Sequence, residues 1–227
     1  MMIVSPTFFA TLGMDMLYSF VIIVTSLMVY FGTKELYELS NHKGIKYFRL
    51  AFLSFAIAYF FRLLIKFLLL SLNIRELMEL STQLIGVVSL WLFMYFSAMS
   101  IFYLLYSVMW KRWSGKDFIL YIFHALAFVI GLIVTFTPSA KLYLLINLFL
   151  FLFVIVIVLF SYIDSKKKKK GINLYGIYLL LFAFWIINIT DILIPSFLQT
   201  YQLLIYAISI GIFLAILYKV LRKCGGS

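Results

Sequence analysis

Seven long apolar segments separated by short loops constrain this chain most, because the loops alternate between strongly basic and nearly uncharged. The segments run from Leu17 to Phe31 (extending through Met14), Leu50 to Leu72, Leu84 to Met109, Phe118 to Phe136, Leu142 to Ile163, Leu174 to Ile194 and Leu198 to Leu221. Runs of about 20 apolar residues cross a hydrocarbon core of roughly 30 Å. With no water there to bond the backbone, each run must be a helix or part of a closed barrel. The runs are continuous rather than alternating, which excludes the barrel. Charged residues make up only 12% of the chain, half the share of a soluble domain.

Loop charge then orients the bundle. Lys34, Lys43, Lys46 and Arg49 lie in the first loop; Lys111, Arg112 and Lys116 in the third; Lys166 to Lys170 in the fifth; Lys219, Arg222 and Lys223 at the C-terminus. The other side has Arg75 and Lys141. Short loops rich in Lys and Arg stay cytoplasmic. The expected architecture is therefore all-α: a polytopic seven-transmembrane bundle, N-terminus outside and C-terminus cytoplasmic, in a cytoplasmic or plasma membrane. Residues 1–223 form one domain, and 224–227, ending Gly225-Gly226-Ser227, read as a linker scar. If so, the native chain continued, and an output domain is missing.

The net charge of +11 is spread over four sites on one face, which fits anionic lipid headgroups or an acidic cytoplasmic protein rather than nucleic acid. Trp110, Trp113, Tyr162 and Tyr218 flank these loops as an interfacial aromatic belt would. Cys224 is the sole cysteine, so no intrachain disulfide forms.

A weak internal repeat is visible. At one offset of 127 residues, Phe48 falls on Tyr175, Leu53 on Leu180, Phe55 on Phe182 and Ala56 on Ala183, with Gln83 near Gln202 after a small shift. That suits a 3+1+3 plan with the fourth helix as linker. Small residues recur every four positions as Ser54 and Ala58, Ala127 and Gly131, and Ala207, Gly211 and Ala215. They are expected to pack inside the bundle, a homodimer face being the alternative.

Charges within the membrane cost about 2.5–3.5 kcal/mol each on insertion scales, so those that remain need partners or a wet cavity. Arg62 and Lys66 lie one turn apart on the second segment and share a face. Their possible partners are Asp15 and Asp191. Trp185, Asn188 and Asp191 lie within one narrow arc, and Gln83, Asn147, Gln199 and Gln202 join them in the outer half. The expected ligand site is therefore Arg62, Lys66, Gln83, Trp185, Asn188 and Asp191, floored by Phe and Leu packing. The inner half holds mainly hydroxyls, Thr25, Ser26, Ser54, Ser97, Ser100 and Ser209, which can bond the preceding helical turn. His124 reads as a satisfied packing residue. No nucleophile–base pair or metal cluster stands out, so neither an enzyme nor a cofactor is expected.

Length, seven spans and an outside N-terminus resemble microbial rhodopsins, but Leu203 to Tyr218 contains no lysine for a Schiff base. The 3+1+3 plan resembles SWEET and PQ-loop transporters, whose Pro-Gln signature is absent. Animal G-protein-coupled receptors share the topology but not these sixth and seventh segments. Such likenesses are architectural and transfer no residue roles. The leading expectation is a receptor- or sensor-like module that binds a small or lipid-like, anionic ligand from outside. A small transporter, or a structural subunit of a larger complex that includes further copies, is the alternative.

Overall fold

The computed structural model is all-helical and describes residues 6–74, 80–113, 116, 118–137, 139–167, 174–193 and 201–224; the side chains of 6–12, 69–74, 80–83, 167, 191–193, 202 and 223–224 are outside that description. Among the described residues the helices are α1 (Pro6–Gly32), α2 (Lys34–Ser40), α3 (Lys43–Ile74), α4 (Leu80–Met109), α5 (Phe118–Phe136), α6 (Ala140–Lys167), α7 (Tyr175–Leu193) and α8 (Gln202–Cys224). Six stretches are long and apolar enough to cross a membrane: Gly13–Ser40, Lys43–Leu68, Leu84–Met109, Phe118–Phe136, Ala140–Lys166 and Leu203–Arg222. Within α7, Tyr175–Thr190 is a shorter apolar stretch. The chain is thus a helical bundle of the multi-pass membrane kind.

The helices exceed the apolar runs because helical geometry does not stop where hydrophobicity does. α1 begins at Pro6, whose fixed φ and missing N–H suit a first turn. α3 starts at Lys43, two turns before Leu50, because Ile45 and Phe48 already pack inside. The chain between Lys34 and Ser40 reads as loop but forms α2, a helix too short to show in an apolar-run search. Lys34 and Glu38 pair across one turn of it at 3.7 Å. Asn41 then ends it in the left-handed region (φ 46°), its N–H bonding the Tyr37 carbonyl. α8 extends through Cys224, so that residue lies on the helix rather than past it.

Six helices close a ring in chain order: α1 against α3, α3 against α4, α4 against α6, α6 against α7, α7 against α8, and α8 back against α1. α5 packs mainly on α4, outside the ring. The described basic residues of the loops gather at one end, called here the basic end. There Arg49 donates from Nε to the Tyr30 carbonyl (3.1 Å) and sits over the Tyr30 ring, and Arg112 lies over Phe160. Trp110 and Trp113 do more than mark an interface: Trp110 meets His42 edge-on at 4.6 Å, and Trp113 packs on Tyr106 and Phe123.

Several hydroxyls bond back to their own helix, while those of Ser19 and Ser26 have no partner among the described residues. Thr25, Thr33 and Ser100 each donate to a carbonyl three or four residues back. Ser107 instead crosses between helices, donating to the Gly44 carbonyl at 2.8 Å and meeting the Tyr178 hydroxyl at 3.1 Å.

The two small-residue pairs, on α3 and α5, pack inside as expected. Ser54, Ala58, Ala127 and Gly131 are buried. The α8 stripe does not conform: Ala207 and Gly211 face outward, and a Cβ on Gly211 would meet nothing within 4 Å. The reason is rotational register, since α8 turns Tyr206, Ser209 and Phe213 inward instead. Gly131→Ala would press its Cβ to 2.8 Å from Trp91 Cδ1 and 3.2 Å from the Trp91 carbonyl oxygen. It is expected to destabilise by about 1–3 kcal/mol, whereas Gly211→Ala should stabilise by up to about 1 kcal/mol. Unfolding midpoints in detergent check both, and equal effects would contradict the assigned faces.

Candidate functional site

One carboxylate organises the half of the bundle away from the basic end. Asp15, on α1, is 4% exposed. Three donors from two other helices reach it. From α3, Arg62 Nη2 lies 3.2 Å from Oδ1 and Lys66 Nζ 2.5 Å from Oδ2. From α8, the Tyr206 hydroxyl donates to Oδ1 at 2.5 Å. The sequence dictates the pairing locally. Arg62 lies nineteen residues past Lys43, about 28 Å along α3 at 1.5 Å per residue, too deep to reach the basic end. Its position i+4 carries Lys66, so both cations project from one face towards α1.

Aromatic rings complete the setting. The Arg62 guanidinium sits 5.4 Å from the Tyr18 ring centroid and 5.5 Å from that of Tyr59, and the two tyrosine hydroxyls share a hydrogen bond of 3.1 Å. Tyr18 stacks on Tyr206 at 4.7 Å. The cations are only partly enclosed, at 24% and 33% side-chain exposure for Arg62 and Lys66. Two cations against one carboxylate leave one net positive charge among the described side chains.

A cavity of about 60 Å³ adjoins this cluster between α3, α4, α6 and α7. Arg62 and Tyr59 form the wall shared with the ion cluster; Tyr143, Asn147, Trp185 and Asn188 line the other side. At roughly 30 Å³ of liquid volume per water, there is room for about two waters. Asn147 and Asn188 each donate from Nδ2 to the carbonyl four residues earlier, at 2.8 Å, which leaves Oδ1 as the acceptor of each amide. Trp185 is 7% exposed, and its buried Nε1–H has no hydrogen-bond partner among the described residues. A buried donor without a partner costs about 1–3 kcal/mol.

Towards the basic end the cavity is closed by aromatic packing. Phe213 of α8, fully buried, meets Phe184 at 4.9 Å and Phe55 edge-on at 6.0 Å. Leu150 and Met94 fill the remainder.

Of the residues the sequence singles out, Arg62 and Lys66 meet Asp15, while Arg62, Trp185 and Asn188 line the cavity. Lys66 touches the carboxylate and is not part of the cavity lining. The side chains of Gln83 and Asp191 lie outside the described residues, as do those of Gln202 and all of Pro195, Ser196, Gln199 and the last three residues. Sequence reasoning overlooked Tyr206, Tyr59 and Tyr143. Sixteen tyrosines are present, and nothing in a single apolar helix marks the one whose hydroxyl reaches across to a carboxylate. His124 is satisfied from both sides, by the Tyr95 hydroxyl at Nδ1 (2.7 Å) and the Tyr103 hydroxyl at Nε2 (3.3 Å).

Compared with known proteins, the chain is 31% identical over 216 residues to an uncharacterized protein of Archaeoglobus fulgidus, with 92% of each chain covered. No family model and no solved structure matches it.

Proposed function

This chain belongs to the same family as the Archaeoglobus fulgidus protein, and we propose that it acts as a seven-span, receptor-like module binding a small anion from outside the cell. α7 is the seventh span in this reading. The basic end faces the cytoplasm, where it meets anionic lipid and an acidic partner or output domain.

One observation carries the proposal. Among the described side chains Asp15 offsets one of two membrane cations, and the arginine of that pair borders a cavity that Trp185, Asn147 and Asn188 also line. Arginine has five N–H donors in a planar fork, suited to a carboxylate even when one is engaged with Asp15. Low dielectric around the site strengthens such a contact and makes an empty site costly.

A receptor reading is favoured over transport by what lies beneath. A transporter needs groups tolerant of water on both sides of its site. Here the floor is Phe55, Phe184 and Phe213, Ser100 spends its hydroxyl on the Ser97 carbonyl, and His124 is occupied by two tyrosines.

Acetate is the smallest suitable probe. Titrated into the full chain in nanodiscs, it should bind saturably, and Arg62→Gln should weaken it at least tenfold. Proteoliposomes should show no acetate flux. Absence of binding would refute the reading, and uptake abolished by Arg62→Gln would replace it with the transporter.

Orientation has its own test. In a Cys224→Ser background, Ser139→Cys should react with an impermeant external maleimide and Ser40→Cys should not. Both side chains are exposed, at opposite ends of the bundle. The reverse labelling would invert the site.

A further inference from the structure

The ring packs as a repeated pattern. α1 meets α3 as α6 meets α7; α3 meets α4 as α7 meets α8; α4 meets α6 as α8 meets α1. α5, packed outside on α4, is left over as the connection. Inward faces repeat as well. Buried Tyr18, Ile22 and Val29 of α1 recur 128 residues later as buried Ile146, Leu150 and Ile157 of α6. In α3, Ala51, Phe55 and Tyr59 recur 126 residues later as Ile177, Leu181 and Trp185 of α7. Met94, Ala98 and Ile101 of α4 recur 115 residues later as Ser209, Phe213 and Ile216 of α8. For α3 and α7 the register from burial is one residue shorter than the 127 that identities alone suggest.

Carried to the site, these registers sort its residues. Asp15 falls on Tyr143, Ser19 on Asn147, Tyr59 on Trp185 and Arg62 on Asn188. The second-unit residues all line the cavity. Of the first-unit residues, Asp15 and Arg62 form the ion pair and Tyr59 flanks it; Ser19 is buried with its hydroxyl unpartnered among the described residues. Equivalent positions thus carry a charged set in one unit and a neutral, hydrogen-bonding set in the other, and the cavity lies where the two meet.

We propose that α1, α3, α4 and α6, α7, α8 are two versions of one three-helix unit, and that the ligand bridges them. Its carboxylate lies on Arg62 of the first unit, and a neutral hydroxyl donates to the Asn188 Oδ1 acceptor of the second. This rests on the anion-binding reading above and adds to it a ligand class: 2-hydroxy or similarly substituted short carboxylates. The cavity's volume of about 60 Å³ keeps the ligand short. The second unit supplies acceptors that a plain alkyl acid leaves unbonded, which is how a site rejects an analogue lacking a hydroxyl.

Glycolate and propionate have the same number of non-hydrogen atoms and differ by hydroxyl against methyl. With the full chain in nanodiscs, glycolate should bind at least tenfold more tightly than propionate. Asn188→Leu should erase that preference. Equal or reversed affinities in the wild type would overturn the bridging proposal while acetate binding still upheld the anion site. No binding of any of the three acids would overturn both. Because the wild-type comparison needs no substitution, it decides the matter even if Asn188→Leu fails to fold.

Discussion

Asp15→Leu is expected to be among the most damaging single substitutions in the bundle, costing about 3 kcal/mol or more. Removing one member of a buried ion pair strands its partner, a loss of roughly 3–5 kcal/mol. Two partners are stranded here, Arg62 and Lys66. Partial exposure tempers the effect, because Lys66 can swing its amine towards headgroups along a flexible stem. Arg62 has less freedom, held between the Tyr18 and Tyr59 rings. The double variant Asp15→Leu with Arg62→Leu should therefore recover at least half of the loss, since an apolar pair of similar volume often replaces a buried ion pair without penalty. Equilibrium unfolding in mixed micelles, arranged as a double-mutant cycle, measures the coupling. If Asp15→Leu is neutral, or the losses simply add, the cluster does not hold α1, α3 and α8 together.

That ion pair shows which parts of the molecule a sequence makes legible. Charges inside an apolar run are conspicuous because they are expensive, and with few carboxylates available the partner of Arg62 narrows to Asp15 or Asp191 from the sequence alone. Run length marks six of the seven expected spans as helices long and apolar enough to cross, while the sixth run appears as the shorter apolar stretch of α7. What stays hidden is rotation. A membrane helix is apolar around its whole circumference, so the inward face is not marked as it would be in water. The α8 stripe of Ala207, Gly211 and Ala215 illustrates this: its spacing suits close packing, yet Ala207 and Gly211 point outward because Tyr206 and Phe213 have better partners inside. Order around the ring is hidden for the same reason. The cavity depends on that order, since it needs α3, α4, α6 and α7 to face one another. Tyr206 reaches Asp15 only because α8 closes the ring against α1. The short helix α2 escaped because seven residues carry no run-length signal.

Phe213→Ala carries the second large expectation, a loss of about 2–3 kcal/mol. Lipid chains are as apolar as phenylalanine, so transfer from water contributes little between membrane helices and dispersion contacts must hold them. Phe213 is fully buried and stands between Phe55 and Phe184. Truncation to alanine opens a void of roughly 100 Å³, which at about 24 cal/mol per Å³ gives the stated cost. Phe213→Leu, which keeps most of the volume and the apolar surface, should cost less than about 1.5 kcal/mol. Phe55 and Phe184 also line the polar cavity and Phe213 does not, so it is the layer immediately below. Its loss would join the void to the cavity and let water follow, deepening the site towards the basic end. A cysteine placed at Ala98, buried on the opposing α4, should then gain reactivity towards a small water-soluble thiol reagent in Phe213→Ala and stay protected in Phe213→Leu. Equal protection in both variants would mean that the seal lies elsewhere, and an unchanged unfolding midpoint would mean that Phe213 is not packed as described.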